Sequence, residues 1–201
     1  MAATPEAPQA RYSEKAQEII QRTVELLAAG GYHSFSFADI AERVQVRKAS
    51  IHHHFPTKPE LVRAVVARHR EATLRGLAAL DQAHADPLGR LVAYCRYWAG
   101  CIRQASPPIC ISALLAAELP AIPDEVAAEV QAHFEQLEAW LVATLKAGAA
   151  SGSLRLSGSA ASEAALFMAT VHGAMLSARA SGNPALFWKI AKLATDRLKP
   201  G

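Results

Sequence analysis

The stretch FSFADIAERVQVRKASIHHHFPTKPELVRAVV, residues 35–66, decides the fold. Ser36 and Asp39 resemble the capping box that opens a helix, and this helical pattern breaks near Gln45. A second short helical segment follows, and Thr57 then opens a longer helix with a capping box of its own. Two short helices joined by a tight turn predict a helix-turn-helix, whose second helix can enter the major groove of DNA.

The second helix of this predicted motif begins with basic and small residues. Arg47 and Lys48 offer cationic donors, and the helix N-terminus adds backbone donors and a dipole that favours phosphate. Ala49 and Ser50 are small enough to allow close approach to a groove. Two apolar residues four positions apart can anchor the helix to the core, namely Ile51 and Phe55.

Three consecutive histidines, His52, His53 and His54, leave more than one interpretation open. Adjacent side chains point about 100° apart on a helix, whereas metal ligands on one helix are three or four residues apart. No neighbouring nucleophile or acid completes a catalytic arrangement. We therefore expect the outward rings to contact DNA, with His54 packing on the first helix as the alternative. An all-helical metal-binding protein or enzyme that uses His52–His54 remains the alternative of another class.

The charge of the chain is concentrated in its first third. Residues 1–70 hold 10 Lys and Arg against 7 Asp and Glu, whereas residues 71–201 hold 11 of each. A basic end on a neutral body indicates an anionic partner for that end alone. No apolar run approaches the ~18–20 residues of a membrane span, so we expect no membrane partner.

The remaining composition predicts a reducing compartment and an all-helical chain. Cys95, Cys101 and Cys110 lack metal-type or redox-pair spacing, and the first residues do not form a signal peptide, so we expect free thiols and a cytoplasmic location. Strand patterning is nearly absent, and helical periodicity with caps gives about nine helices. We expect no cofactor, no metal site and no enzymatic activity.

Residues 35–66 resemble the DNA-binding region of TetR-family (TetR/AcrR) transcriptional regulators. The elements that match are the Phe37–Ile40–Ala41 helix, the small-residue second helix, its ending His54-Phe55, and Lys58 with Leu61. The resemblance is specific over residues 13–66 and implies a dimeric, ligand-responsive repressor on a palindromic or pseudo-palindromic operator. The residues expected at DNA are Ser36, Arg47, Lys48, Ala49, Ser50, His52, His53 and Lys58.

Two positions depart from the usual pattern of that family. Gln45 stands where the turn commonly has glycine, and a positive φ there would cost glutamine roughly 1 kcal/mol relative to glycine. His52 stands where a tyrosine commonly contacts the phosphate backbone. Imidazole can still donate to phosphate, but the contact then depends on pH.

The resemblance also implies the organisation of the whole chain. We expect a disordered tail over residues 1–12, a helix-turn-helix domain over 13–58, and an effector-binding and dimerisation domain over 59–201. In such a fold the last two helices pair with those of a second subunit, and small residues allow close approach. The residues expected at that interface are Phe167, Ala169, Gly173, Leu176 and Phe187.

A pocket for a small, largely uncharged effector is expected among the middle helices, where aromatic and weakly polar residues are dense. No cluster of Arg or Lys in this region marks an anionic ligand. The residues expected to line it are Tyr94, Tyr97, Trp98, Cys101, Cys110, Phe134, His172 and Met175.

Cys110 gives a second version of the switch, because it follows two prolines at the start of a predicted helix. A helix N-terminus lowers the pKa of a thiol and raises its thiolate fraction. Some TetR-family members that look similar in this segment sense electrophiles or oxidants through a cysteine. A buried, inert thiol is the alternative.

Overall fold

The computed structural model describes residues 12–106 and 108–200, so the tail predicted over residues 1–12 lies, apart from Tyr12, outside the described residues. Within these ranges the chain contains nine α-helices and no strand, which confirms the all-α prediction. No helix there combines the length and the apolar character that crossing a membrane requires. The helices are α1 Glu14–Gly30, α2 Phe37–Val44, α3 Lys48–His54, α4 Lys58–Ala83, α5 Pro87–Gln104, α6 Ile111–Ala117, α7 Asp124–Ser151, α8 Ala160–Ala180 and α9 Pro184–Asp196.

The first three helices pack around a core with the start of α4. Side chains of α1, α2, α3 and α4 meet at Ile19, Ile40, Ile51 and Leu61, all of which are fully buried. The same core continues into α6 and α7, so these helices form a base beneath the helix-turn-helix. The helices α1 and α4 therefore connect α2 and α3 to the body of the protein.

A second core lies between α5, α7, α8 and α9. It contains two residues that were predicted to lie at the subunit interface. Phe167 and Phe187, expected at a subunit interface, are buried in this core with Leu91 and Leu141. The ring of each phenylalanine therefore packs inside its own subunit. Of the expected interface residues, Ala169, Gly173 and Leu176 are exposed.

Three polar contacts join the body to the first helices. The Arg179 guanidinium at the end of α8 donates to the carbonyls of Ala28 and Ala29 at 2.7 Å each, where α1 leaves its last carbonyls unpaired. The Glu118 carboxylate, just beyond α6, accepts the backbone N–H of Tyr32 at 2.8 Å. His33 Nε2 lies 3.0 Å from the carbonyl of Ala121 and can donate to it.

A buried carboxylate fastens the start of α8 to the end of α9. The Glu163 side chain is 5% exposed and is paired with the Arg197 guanidinium, and it also accepts the backbone N–H of Ser157 at 3.0 Å. The hydrogen bond from Arg197 holds the pKa of Glu163 below its ordinary value of 4.5, because it stabilises the ionised form more than burial destabilises it.

We expect Arg197→Met to lower the free energy of unfolding by about 1–3 kcal/mol at pH 7, because it leaves the Glu163 carboxylate without its strongest donor. A lowered folded-state pKa stabilises the protein above the unfolded pKa, and this contribution is lost as the pH falls through the folded value. The variant should therefore show a flatter dependence of stability on pH below about 5. Urea unfolding at fixed protein concentration measures both effects. Lys199→Met is the control, because Lys199 pairs with the carboxylate of Asp196 at the surface; an equal loss in both variants would contradict the assignment.

Candidate nucleic-acid interface and effector cavity

The turn between α2 and α3 has a positive φ at Gln45, the case that the sequence analysis stated only as a condition. Ser36 caps α2 by accepting the N–H of Ala38 at 3.2 Å, and Asp39 accepts the N–H of Ser36 at 2.6 Å, so the predicted capping box is present. Gln45 closes the helix in the left-handed region, with φ 55° and ψ 48°. Its conformation is the one that favours glycine, so the turn contains a local strain of about 1 kcal/mol.

Gln45→Gly is expected to raise the free energy of unfolding by up to about 1 kcal/mol. The gain stays small because glycine also increases the conformational entropy of the unfolded chain. Chemical denaturation of the variant and the parent protein measures the difference. Glu42→Gly, an exposed position inside α2, should lose about 1 kcal/mol instead, and a loss at both positions would mean that Gln45 is not strained.

The start of α3 presents an exposed basic surface on a buried anchor. Arg47, the N-cap residue, and Lys48 and Ala49 are exposed, and Ser50 is half-buried. Ile51 is fully buried, and Phe55 is nearly so, which confirms the predicted anchor. Because the anchor residues fix the opposite face, α3 offers its first turn to the outside.

The three histidines point in different directions. His52 and His53 are exposed, whereas His54 is half-buried beside the ring of His53. His52 packs edge-on against Phe37, and its Nδ1 lies 3.0 Å from the carbonyl of Pro56. A carbonyl only accepts, so Nδ1 is the donor in this contact, and Nε2 donates to a phosphate when it too carries a proton.

Lys58 is directed into the protein. Its ammonium donates to the backbone carbonyl of Phe35 and lies over the rings of Tyr32 and Phe35, 4.6 and 4.1 Å from their centroids. Burial lowers the pKa of this lysine, against the opposing effects of Asp39 and Glu118. The residue thus ties the start of α4 to the segment before α2, which is a structural role that the sequence did not indicate.

A cavity of about 260 Å³ lies between α4 and α5. Three of the expected pocket residues, Tyr94, Tyr97 and Trp98, line it from α5. The opposite wall is formed by α4 and was not predicted, because its residues read as an ordinary core face. The lining residues of α4 are His69, Ala72, Thr73, Gly76, Leu77 and Leu80.

The other expected pocket residues lie in the core next to this cavity. Cys101, Cys110 and Met175 are buried in the second core. Phe134 and His172 meet edge-on, with ring centroids 5.2 Å apart. Burial lowers the pKa of His172 to about 4, and its Nε2 has no hydrogen-bond partner among the described residues.

Cys110 lies between two imidazole rings. Its Sγ is 3.5 Å from Nε2 of His69 on α4 and 3.8 Å from Nε2 of His133 on α7. The two rings are stacked, with centroids 5.2 Å apart. Burial lowers the pKa of His69 to about 4 and, with the neighbouring His69, that of His133 to about 3, so both rings are neutral at pH 7.

The structure contradicts the low pKa that was expected for the Cys110 thiol. The residue caps α6, and the backbone N–H groups of Ala113 and Ser112 do lower its pKa as the sequence predicted. Complete burial has the larger and opposite effect, so the pKa of the thiol rises to about 11. At neutral pH the side chain is a buried thiol, which is the form that reacts poorly with electrophiles.

The outer face of α8 and α9 carries three large exposed leucines. Leu166 and Leu176 are 49% and 48% exposed on α8, and Leu193 is 70% exposed on α9. Small exposed residues lie between the two leucines of α8, including Ala169 and Gly173. A Cβ atom added at Gly173 would meet nothing within 4 Å, so this stretch of helix is open to close approach.

Known proteins are similar to the chain along almost all of its length. The family model for bacterial regulatory proteins of the tetR family matches residues 19–65, and the model for the tetracyclin repressor-like C-terminal domain matches residues 87–192. A TetR-family transcriptional regulator from Agrobacterium tumefaciens is 48% identical, with a TM-score of 0.91 over 96% of this chain and 100% of that chain.

More distant solved structures share the fold. A TetR regulator from Legionella pneumophila is 22% identical, with a TM-score of 0.84 over 94% of this chain and 100% of its own. The reduced form of NemR from E. coli is 20% identical, with a TM-score of 0.80 over the same shares. No protein with a curated description matches. The two family models and the identity to the Agrobacterium protein show that the chain belongs to the TetR family of DNA-binding transcriptional regulators.

Proposed function

We propose that the protein is a homodimeric repressor that binds a palindromic or pseudo-palindromic operator and leaves it when a small molecule enters the α4–α5 cavity. The exposed, basic first turn of α3, held on a buried anchor, is the observation that carries this proposal. It belongs to the second helix of a helix-turn-helix, which is the element that enters the major groove.

At the DNA, Arg47 and Lys48 supply the cationic donors, and Ala49 lets the backbone approach the bases. His52 contacts phosphate through Nε2 only when protonated, because its Nδ1 proton is directed at Pro56. Ser36 lies at the N-terminus of α2, where the helix dipole favours a phosphate. Lys58 supports the interface from inside through Phe35.

The dimer forms through the outer face of α8 and α9. Three large apolar side chains are exposed there, Leu166, Leu176 and Leu193, and small residues between the two leucines of α8 let a second helix pair pack closely. One α3 reads too few bases to define an operator, whereas two related by a twofold axis match half-sites one helical turn apart, about 34 Å.

The effector acts through α4, which connects the cavity to the DNA-binding helices. This helix lines the cavity from His69 to Leu80 and begins at Lys58, directly after the turn that follows α3. A ligand that changes the tilt of α4 changes the separation of the two α3 helices, and a shift of a few ångströms breaks the match to successive grooves. Aromatic and aliphatic walls with few polar groups suit a small, weakly polar molecule.

The test is a binding titration by fluorescence anisotropy against the DNA that flanks the gene of this protein. We expect saturable binding, with a whole number of dimers on each site. The affinity should fall as salt rises, because binding releases counterions from the phosphates. A shuffled sequence of equal length is the control. Equal affinity for the native and the shuffled DNA at every salt concentration would overturn the proposal.

A further inference from the structure

We infer that His69, Cys110 and His133 form a binding site for a thiophilic d¹⁰ metal cation of the Zn²⁺ type. The Cys110 sulfur and one ring nitrogen of each histidine all lie within 4.8 Å of one another. This set of donors was not predicted from the sequence, because 41 and 23 residues separate the two histidines from the cysteine.

The two sulfur–nitrogen distances fit tetrahedral coordination. Zinc–sulfur bonds of about 2.3 Å and zinc–nitrogen bonds of about 2.0–2.1 Å, at a tetrahedral angle, place sulfur and nitrogen about 3.6 Å apart. The two sulfur–nitrogen distances from Cys110, 3.5 and 3.8 Å, bracket this value. The two imidazole rings are stacked in this structure, so they would rotate to direct both lone pairs at one ion.

The donors also select the class of ion. A thiolate and two imidazoles favour soft or borderline cations, and the cluster contains no carboxylate that would favour Mg²⁺ or Ca²⁺. The thiolate is the form of cysteine that binds metal, so binding releases the Cys110 proton to solvent while both neutral imidazoles donate lone pairs.

Three protein ligands leave the fourth position open. His69 also lines the α4–α5 cavity, so water or a donor atom of an effector can reach that position. A metal-bound histidine normally donates its other ring N–H to a carboxylate, a carbonyl or water. Nδ1 of His133 has no hydrogen-bond partner among the described residues, so this second contact is missing there. An open, partly supported site binds an exchangeable ion, as a sensor requires, and is unlike a closed structural zinc site.

The ion would join elements that lead to the DNA-binding helices. His69 is on α4, Cys110 caps α6, and His133 is on α7. Just beyond the far end of α6, Glu118 accepts the backbone N–H of Tyr32 between α1 and α2. A metal that draws the three ligands together therefore acts on α4 and on this contact at once.

Titration of the reduced protein with Co²⁺ tests the site. We expect one equivalent per subunit and a thiolate-to-cobalt charge-transfer band in the near ultraviolet, which Zn²⁺ abolishes and Mg²⁺ does not. Cys110→Ser should lose the band, and His69→Gln should weaken Co²⁺ binding by more than about 100-fold. Cys95→Ser, a buried thiol outside the cluster, should retain the band.

The charge-transfer band also separates this site from adventitious binding. Cobalt held by the exposed histidines of α3 would give no thiolate band. Circular dichroism confirms that each variant is folded, and His69→Gln supplies the result if Cys110→Ser does not fold. A wild-type protein without the band, or a band that survives in Cys110→Ser, overturns the inference.

The regulatory consequence rests on the proposed function and is measured separately. Zn²⁺ should change the affinity of the wild-type protein for its operator by about 5–150-fold and leave that of His133→Gln unchanged. If Co²⁺ binds as expected and operator affinity does not respond, the coupling is overturned and the site stands. If the protein binds no operator at all, the proposed function fails, and the Co²⁺ titration still decides the metal site.

Discussion

Gly173→Glu is expected to convert the dimer into folded monomers. The residue is exposed on α8, between Leu166 and Leu176, on the face that we propose for subunit contact. In the dimer each glutamate would lose its water without gaining a partner, and the twofold axis brings two such charges into one interface. Burial of an unpaired carboxylate costs several kcal/mol, so the dissociation constant should rise at least about 1,000-fold.

The subunit itself should tolerate this change. A Cβ at position 173 meets nothing within 4 Å, and glutamate is a better helix former than glycine by roughly 0.5–1 kcal/mol. Loss of the dimer can therefore be separated from loss of the fold. Sedimentation over a range of concentrations measures association, and circular dichroism measures folding.

Gly76→Glu provides a matched control on α4. That glycine is also exposed inside a long helix, with nothing within 4 Å of an added Cβ. The substitution adds the same charge at the wall of the α4–α5 cavity, on neither α8 nor α9, and the variant should sediment as the wild type does. A Gly173→Glu protein that remains dimeric at low concentration would exclude the proposed face.

The helix-turn-helix was predictable from the sequence because its determinants are local. A capping pair three residues apart, an apolar face at helical spacing and a break at Gln45 each act within one turn of helix. The sequence left the conformation of Gln45 conditional, and the structure places it in the left-handed region. Lys58 was different, since its contacts with Phe35 depend on how α4 packs against the segment before α2.

The faces of α8 could not be assigned from the sequence. This helix is apolar nearly all round, so periodicity does not say which side meets its own subunit and which meets a partner. Phe167 turned inward with Val171 and Met175, whereas Ala169 and Gly173 turned outward. Only packing against α7 and α9 separates the two faces.

Only one wall of the pocket was predicted, because the other wall also depends on how the helices pack. Aromatic density marked the α5 wall, but the α4 wall consists, apart from His69, of small and aliphatic residues that give no signal of their own. The same holds for the cluster around Cys110, whose partners come from α4 and α7. Burial of that thiol, which reverses its expected acidity, is likewise a property of the tertiary structure.

Lys48→Ala is expected to weaken operator binding strongly without affecting the fold. Lys48 is exposed at the first position of α3, and within the described part of the chain its side chain forms no hydrogen bond or ion pair. Each dimer loses two such side chains. If each binds a base, the loss is about 1–3 kcal/mol per half-site, which lowers affinity by roughly 30-fold or more for the operator as a whole.

Salt dependence then identifies what the lysine touches. If Lys48 binds phosphate, the slope of log affinity against log salt should fall in magnitude by about 1.8 per dimer, because each lost contact removes about 0.9. If it binds a base, the slope stays nearly constant and one position of each half-site loses its sequence preference. Lys146→Ala, an exposed lysine of α7, removes equal charge away from α3 and should change little. Because both kinds of contact lower affinity, a Lys48→Ala protein that binds the operator as the wild type does at every salt concentration would mean that α3 does not enter the groove.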